Sequence, residues 1–192
     1  SSDSTIAVAR KVIDGVPPNN DFPFVELNVA LSRHLKRSSA FDDQAIEAVL
    51  GLKYGHKLTF LALTLLYDEQ RWGQMPHHVD HIFPKARLSR NALHAMNLPG
   101  SHIDTITSAV DRLGNLQLLS ATENLEKNAD PFEHWVQTRD EGFAARHHLP
   151  ENEHLRTIEM FPSFVKAREG LLRARLTRLR FDPASPKLEA AE

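Results

Sequence analysis

The chain has 192 residues, of which 41% are hydrophobic and 25% charged, and its formal net charge is −2. These values are typical of a globular protein, exclude extensive disorder, and suit one domain of ordinary size or a domain with a flanking segment. The sequence has no cysteine, which excludes disulfides and thiolate zinc sites and favours a cytoplasmic location. We find no signal peptide and no apolar stretch long enough to span a bilayer, so we expect no membrane association.

The N-terminal third is expected to be helical. Residues 1–20 look like an appendage or linker, with a short helical stretch followed by a loop rich in Pro and Asn. The spacing of apolar residues predicts a helix over 24–35 and a second one capped by Asp42 or Asp43. A third helix, over 57–67, is apolar on most sides, which is typical of a helix in the middle of a bundle.

The pattern then changes to short strands. Residues 77–83 are too short and too β-branched for a helix, and Pro84 ends them, so we expect a strand that leads into a loop. Residues 85–111 are polar and irregular, and residues 113–119 predict a second short strand.

Helices are expected again after this second strand. Ser120 and Glu123 have the spacing of a capping box, which predicts a helix that runs to about Asn128. A helical piece is expected over 132–141, and Pro162 opens a long amphipathic helix. Its basic run over 166–180 holds six basic residues and one acidic residue, and is either a solvated face or a DNA contact.

Polar residues with catalytic potential lie at fixed points of the strand, strand and helix. Asp80 and His81 end the first predicted strand, Asn115 lies in the second, and Asn124 lies in the first turn of the capped helix. This order resembles the core of HNH, or His-Me finger, nucleases, in which two strands and a helix hold one divalent metal. The string VDHIFP at 79–84 is similar to the D-H-I-x-P signature of that family.

Within HNH proteins, the sequence most resembles the C-terminal domain of GmrSD-type modification-dependent restriction enzymes. The phosphorothioate-sensing phage-defence nuclease SspE carries a similar domain. The supporting string is LGNLQLL at 113–119, followed by Asn124 and Lys127. The resemblance implies an α+β, mostly helical HNH domain over 21–185, built around a ββα-metal core at about 77–130, with a tail at 186–192.

The resemblance also implies a biological setting. It implies a DNA endonuclease that acts as the effector of an anti-phage restriction system. An N-terminal domain of the same full-length protein would hydrolyse nucleotides and sense modified DNA. The start at Ser1 rather than Met is expected for a fragment that lacks this partner domain.

Hydrolysis of a phosphodiester needs an activated water, a group that absorbs negative charge and help for the leaving oxygen. An imidazole with an ordinary pKa of ~6.5 can take the proton of the water, which makes His81 the candidate general base. The oxygens of Asp80 and Asn124 suit Mg²⁺ or Mn²⁺ and leave room for waters and phosphate oxygens. Asn124 is therefore a candidate metal ligand and catalytic residue. Asn115 is the third candidate of the catalytic group, and the resemblance favours a clamp on the loop that orients His81.

Three cations are candidates for phosphate contact. Lys85 and Arg87 follow the first strand, and Lys127 shares a helical face with Asn124; the alternative for each is ordinary solvated surface. Adjacent strand residues point to opposite faces, so Asp80 and His81 serve one site only if the strand breaks between them.

Two other functions remain open from the sequence. One is a nuclease that acts on RNA or without specificity, and the other is a catalytically silent HNH-like module that binds DNA or a partner domain. Because one active site cuts one strand per event, nicking is the expected product of a monomeric nuclease.

Overall fold

The computed structural model describes residues 2–17, 20–36, 41–67 and 75–179. The predicted tail at 186–192 and Arg180, at the end of the basic run, lie outside the described residues. Residue contacts divide the chain into one unit of residues 1–45 and 179–192 and a second unit of residues 46–178. The boundary near residue 20 that we infer from the sequence stays a prediction.

Within the described residues, α-helices dominate and two short strands form the sheet. The helices are α1 (Ser2–Asp14), α2 (Phe24–Leu35), α3 (Asp43–Leu50), α4 (Thr59–Thr64), α5 (Arg90–Ala95), α6 (Gly100–Ala109), α7 (Ala121–Lys127), α8 (Phe132–Trp135), α9 (Phe143–Arg146) and α10 (Phe161–Arg178). The strands are β1 (His77–His81) and β2 (Leu116–Ser120). The class is α+β and mostly helical, as predicted.

The N-terminal unit contains α1 and α2, which pack against each other. The side chains of Ser4 and His34 lie 3.2 Å apart across this pair. The predicted cap of α3 is confirmed at Asp42, whose Oδ1 accepts a hydrogen bond of 2.9 Å from the Ala45 N–H.

The third predicted helix is much shorter than expected. It is confined to α4, and its sides differ in exposure: Leu63 is buried, whereas Leu61 is 59% exposed. The expectation of a helix in the middle of a bundle is therefore wrong. The preceding residues form a turn instead, in which the Thr59 hydroxyl donates to the Lys53 carbonyl at 2.6 Å.

Residues 85–111 are more regular than predicted. They contain a 3₁₀ turn over Lys85–Leu88 and the helices α5 and α6. Ser89 caps α5 through the Ala92 N–H, and Pro99 precedes the first residue of α6. The buried residues Ile103 and Ile106 have helical spacing, a signal that the polar residues around them obscured.

The second unit builds its core around the end of β1. The rings of Phe132, Phe161 and Phe164 surround Phe83 with centroid distances of 4.9, 5.1 and 4.9 Å. The long C-terminal helix α10 supplies two of these rings and also buries Leu172. Because Phe83 follows His81 by two residues, this aromatic cluster anchors the chain directly after the strand that carries the candidate base.

Within the described residues, no helix combines the length and apolar character needed to cross a bilayer.

Candidate active site

Antiparallel pairing of β1 and β2 sets the positions of the two adjacent candidates. Asp80 is opposite Gln117 and His81 is opposite Leu116. The strand does not break between Asp80 and His81, contrary to the condition inferred from the sequence. Their side chains accordingly bond to different partners, as expected for neighbours on a strand. That condition was too strict: burial lowers the pKa of His81 and the charge of Asp80 opposes this shift, so the two groups act on each other along an unbroken strand.

The imidazole of His81 bonds to a carboxylate that sequence reasoning missed. His81 Nε2 lies 2.8 Å from Oδ1 of Asp111, and the Lys85 ammonium lies 3.2 Å from both oxygens of that carboxylate. Burial lowers the pKa of His81 below its ordinary value, although Asp111 opposes this effect. Burial also opposes ionisation of Asp111, but bonds from His81 and Lys85 outweigh it and lower the pKa of Asp111. At neutral pH the pair is thus a neutral imidazole against a carboxylate.

An exposed aromatic ring lies beside the same imidazole. The ring of Tyr54 is 4.5 Å from that of His81, with 41° between their planes, although Tyr54 is 47% exposed. The Tyr54 N–H donates to the Asp111 carbonyl at 2.9 Å. An isolated bridge between Lys53 and Arg112 fixes the same turn. Asp111 therefore holds His81 with its side chain and the neighbouring ring of Tyr54 with its backbone.

The carboxylate of Asp80 is held on one oxygen by two donors. Its Oδ2 accepts from Gln117 Nε2 and pairs with the Lys127 ammonium, both at 2.9 Å. Neither bond uses Oδ1, which can therefore serve a further ligand. The Lys127 ammonium also donates to the His81 carbonyl at 2.6 Å.

The structure corrects the expectation that Lys127 contacts phosphate. Its side chain is fully buried, and burial lowers the pKa of Lys127 while Asp80 opposes the shift. The ammonium bonds to the strand that carries both Asp80 and His81, so Lys127 secures that strand from within the core. A residue with helical spacing from Asn124 was expected at the surface, whereas packing against β1 turned its side chain inward.

Asn115 is a clamp on the chain that follows His81. Its Oδ1 accepts from the Phe83 N–H at 2.9 Å, and its Nδ2 donates to the carbonyls of Val110 at 2.8 Å and Phe83 at 3.4 Å. The side chain has no exposed surface and cannot touch a substrate. We therefore correct its assignment from the catalytic group to a positioning role.

The loop that carries Asn115 is packed against α10. A Cβ at Gly114 would lie 2.9 Å from the backbone oxygen of Val165, so this position requires glycine. The fully buried Arg168 donates through Nη1 to the carbonyls of Leu113, Gly114 and Leu116 at 3.2, 3.1 and 2.7 Å. Burial lowers the pKa of Arg168 to about 10. One residue of the basic run is therefore internal, and neither sequence alternative, a solvated face or a DNA contact, describes it.

The comparison with protein families decides the assignment. The model of the family described as GmrSD restriction endonucleases, C-terminal domain, matches residues 35–173, well over half of the chain. This chain belongs to that family. It is therefore a restriction-endonuclease domain, as the resemblance of its motifs predicted. Among curated proteins, no match to the chain is found.

The remaining predicted ligand of this GmrSD-type domain lies on α7. Asn124 is half-buried in the first turn of the helix, which Ser120 and Glu123 cap with the predicted capping box. Helix α7 packs on β1, the strand that carries Asp80. Within the described ranges, no three His, Asp or Glu side chains converge as a metal site. The available donors are one carboxylate and one amide oxygen, which fits a hard cation that keeps most of its waters.

Two of the predicted phosphate ligands are exposed. Lys85 pairs with Asp111 yet keeps 60% of its side chain accessible. Arg87 donates through Nε to the Ala129 carbonyl at 2.6 Å, a bond that leaves its Nη groups able to meet a phosphate.

Sequence reasoning missed Asp111, Tyr54 and Gln117. One signal could have found Asp111. In an antiparallel pair, residues just before the second strand face residues at the end of the first. With His81 opposite Leu116, Asp111 precedes β2 by five residues and lies near the end of β1. No comparable signal exists for Tyr54, because it comes from a turn outside the two strands.

Proposed function

We propose that this domain is a metal-dependent DNA endonuclease of the HNH type. The observation that carries the proposal is the order of β1, β2 and the capped helix α7, with His81 on the first strand bonded to Asp111 and Asn124 on the helix. Membership in a restriction-endonuclease family supports the same class of reaction. The two strands and α7 form the proposed ββα-metal core.

The proposed base is His81. Its lowered pKa keeps the imidazole neutral at cellular pH, so it can accept the proton of the attacking water. Lys127 holds the His81 carbonyl and Asn115 holds the backbone of Phe83 just beyond it, which limits the movement of His81 during the reaction. Such fixed placement of a base lowers the entropic part of the barrier.

Asp80 and Asn124 are the proposed ligands of Mg²⁺ or Mn²⁺. The bonds from Gln117 and Lys127 orient the Asp80 carboxylate and leave Oδ1 for the cation. When bound, the cation would polarise the scissile phosphate and stabilise the charge on the leaving oxygen. On the protein side, the buried ammonium of Lys127 offsets part of the negative charge that Asp80 brings into the site.

The proposed DNA contacts are Lys85 and Arg87. Both are exposed in the 3₁₀ turn that follows β1, and Lys85 pairs with the carboxylate that bonds the candidate base. Cations at these positions would hold the phosphates beside the scissile bond, a contact that carries no sequence information. Their contribution would weaken with added salt, as phosphate contacts do.

We further propose that the domain is the effector of an anti-phage restriction protein in the cytoplasm. Its partner would be an N-terminal nucleotide-hydrolysing domain that senses modified DNA, for example phosphorothioate DNA. The family membership supports this arrangement.

The test uses supercoiled plasmid with Mg²⁺ or Mn²⁺, with and without EDTA. We expect open-circle product that disappears with EDTA and with His81→Ala. The matched control is His78→Ala, which changes an exposed histidine on the same strand and should keep full activity. Full activity of His81→Ala would refute the proposal.

Substrate competition with single strands and RNA separates the DNA nuclease from an RNA or nonspecific nuclease. Retention of DNA in gel shifts without any metal-dependent product would instead favour a silent binding module.

A further inference from the structure

The contact between His81 and Asp111 joins two residues 30 positions apart. The imidazole is nearly buried, whereas the Asp111 carboxylate is partly exposed and also bonds to the Lys85 ammonium. A carboxylate can only accept hydrogen bonds, and a neutral imidazole has a single N–H. The 2.8 Å contact therefore requires that N–H at Nε2, which leaves the lone pair on Nδ1.

The surroundings hold both partners in place. Lys85 restrains the carboxylate from one side, and the Tyr54 ring packs against the imidazole. The backbone carbonyl of Asp111 accepts from the Tyr54 N–H, so the residue that carries the ring is bonded to the residue that carries the carboxylate. An incidental ion pair at the surface would not need these additional contacts.

We propose that Asp111 is the positioning residue of His81: it accepts the Nε2 hydrogen and so makes Nδ1 the atom that takes the proton of the attacking water. The catalytic part rests on the proposed nuclease function, whereas the placement of the proton on Nε2 does not. In the reaction, the water oxygen forms a bond to phosphorus and its proton passes to Nδ1. The bond from phosphorus to the 3′ oxygen breaks, and that oxygen takes a proton from solvent. Asp111 stabilises the imidazolium that results.

Histidine ¹⁵N chemical shifts in the full chain test the first part of the proposal. Measured about two pH units above the ordinary histidine pKa, Nε2 of His81 should be the protonated nitrogen. Asp111→Ala leaves no side-chain acceptor for the Nε2 hydrogen, so we expect the population to shift towards Nδ1–H. Asp104→Ala, which removes another exposed carboxylate in an ion pair, should leave the His81 signals unchanged. A His81 tautomer that is unchanged in Asp111→Ala would overturn the proposal.

Plasmid nicking tests the second part. Asp111→Asn should lower kcat on the order of 100-fold with little change in KM, because orientation and not DNA affinity is lost. Asp111→Glu keeps a carboxylate and should recover part of kcat. Equal kcat values for Asp111→Asn and the unchanged chain would refute the catalytic role.

The nicking assay and the ¹⁵N spectra can give negative results independently of each other. If the unchanged chain nicks no plasmid under either metal, the proposed function fails. The ¹⁵N spectra still decide whether Asp111 sets the His81 tautomer.

Discussion

The Lys127 ammonium donates a 2.6 Å hydrogen bond to the backbone carbonyl of His81, and its side chain has no contact with solvent. The same ammonium pairs with Asp80 at 2.9 Å. One internal cation thus bonds to the segment of β1 that carries both the proposed base and a proposed metal ligand. The Trp135 ring, 5.6 Å from the ammonium, completes its surroundings.

Removing this cation should destabilise the fold. Lys127→Met keeps the aliphatic volume but leaves the Asp80 carboxylate without its cation and the His81 carbonyl without the ammonium donor. We expect the free energy of unfolding to fall by about 3 kcal/mol, measured by urea denaturation. Lys85→Met, at an exposed ion pair, should cost less than about 1 kcal/mol. Similar losses for both variants would contradict the proposed role of Lys127.

Removing the side-chain bonds of Asn115 should destabilise the fold nearly as much as removing the Lys127 ammonium. Asn115→Ala leaves the Phe83 N–H and the Val110 carbonyl unpaired in the core, a loss of about 2–3 kcal/mol in unfolding free energy. Cleavage should fall too at temperatures where the variant remains folded, because the chain after His81 loosens. Asn91→Ala, at an exposed position of α5, is the control and should match the unchanged protein in thermal melts and nicking assays.

Two glycines should respond to alanine with opposite signs. Gly114→Ala forces a Cβ to within 2.9 Å of the Val165 backbone oxygen and should cost about 1–3 kcal/mol. Gly170 lies in α10 with open space around it, so Gly170→Ala should stabilise the protein by up to about 1 kcal/mol. The midpoints of urea denaturation measure both changes. A loss of stability in Gly170→Ala would by itself contradict this description of α10, whatever the result for Gly114→Ala.

His147 should make stability depend on pH. Burial, with the charges of Arg168 and Arg146, lowers the pKa of His147 to about 3, and its ring stacks on Phe143. The unfolded chain binds a proton below its ordinary pKa of ~6.5, but the folded chain does not until about pH 3. The contribution of His147 to the free energy of unfolding is therefore complete above pH ~6.5. It is lost by about 1.4 kcal/mol per pH unit as the pH falls from there towards about 3.

Urea denaturation at about pH 7 and about pH 5 measures this slope. His147→Gln should flatten it, whereas His94→Gln, at an exposed histidine of α5, should leave it unchanged. The change of the unfolding free energy with pH decides the question, because the packing energy that His147→Gln also removes is the same at both pH values. Equal slopes for the unchanged protein and His147→Gln would show that this histidine is not the cause.

Several elements could be predicted because their causes are local. The capping box at Ser120 and Glu123 involves residues three apart, and both of its bonds are present. The helix over 24–35 follows its apolar spacing. By contrast, the helix predicted over 57–67 shrank to α4, because the turn at Lys53 and Thr59 occupies its first residues. Hydrophobic spacing does not reveal that a turn competes with a helix for the same residues.

The sequence by itself determined the class of the domain, its family motifs and the order in which Asp80, His81, Asn115 and Asn124 occur, since each depends on residues close along the chain. Only the tertiary structure decided the partners of those residues. Asp111 reaches His81 from 30 positions away and Lys127 from 46, because β1 and β2 pair and α7 packs on β1. The same packing turned Lys127 from an expected surface cation into an internal donor, since burial of its helical face directed the ammonium to Asp80 and the His81 carbonyl.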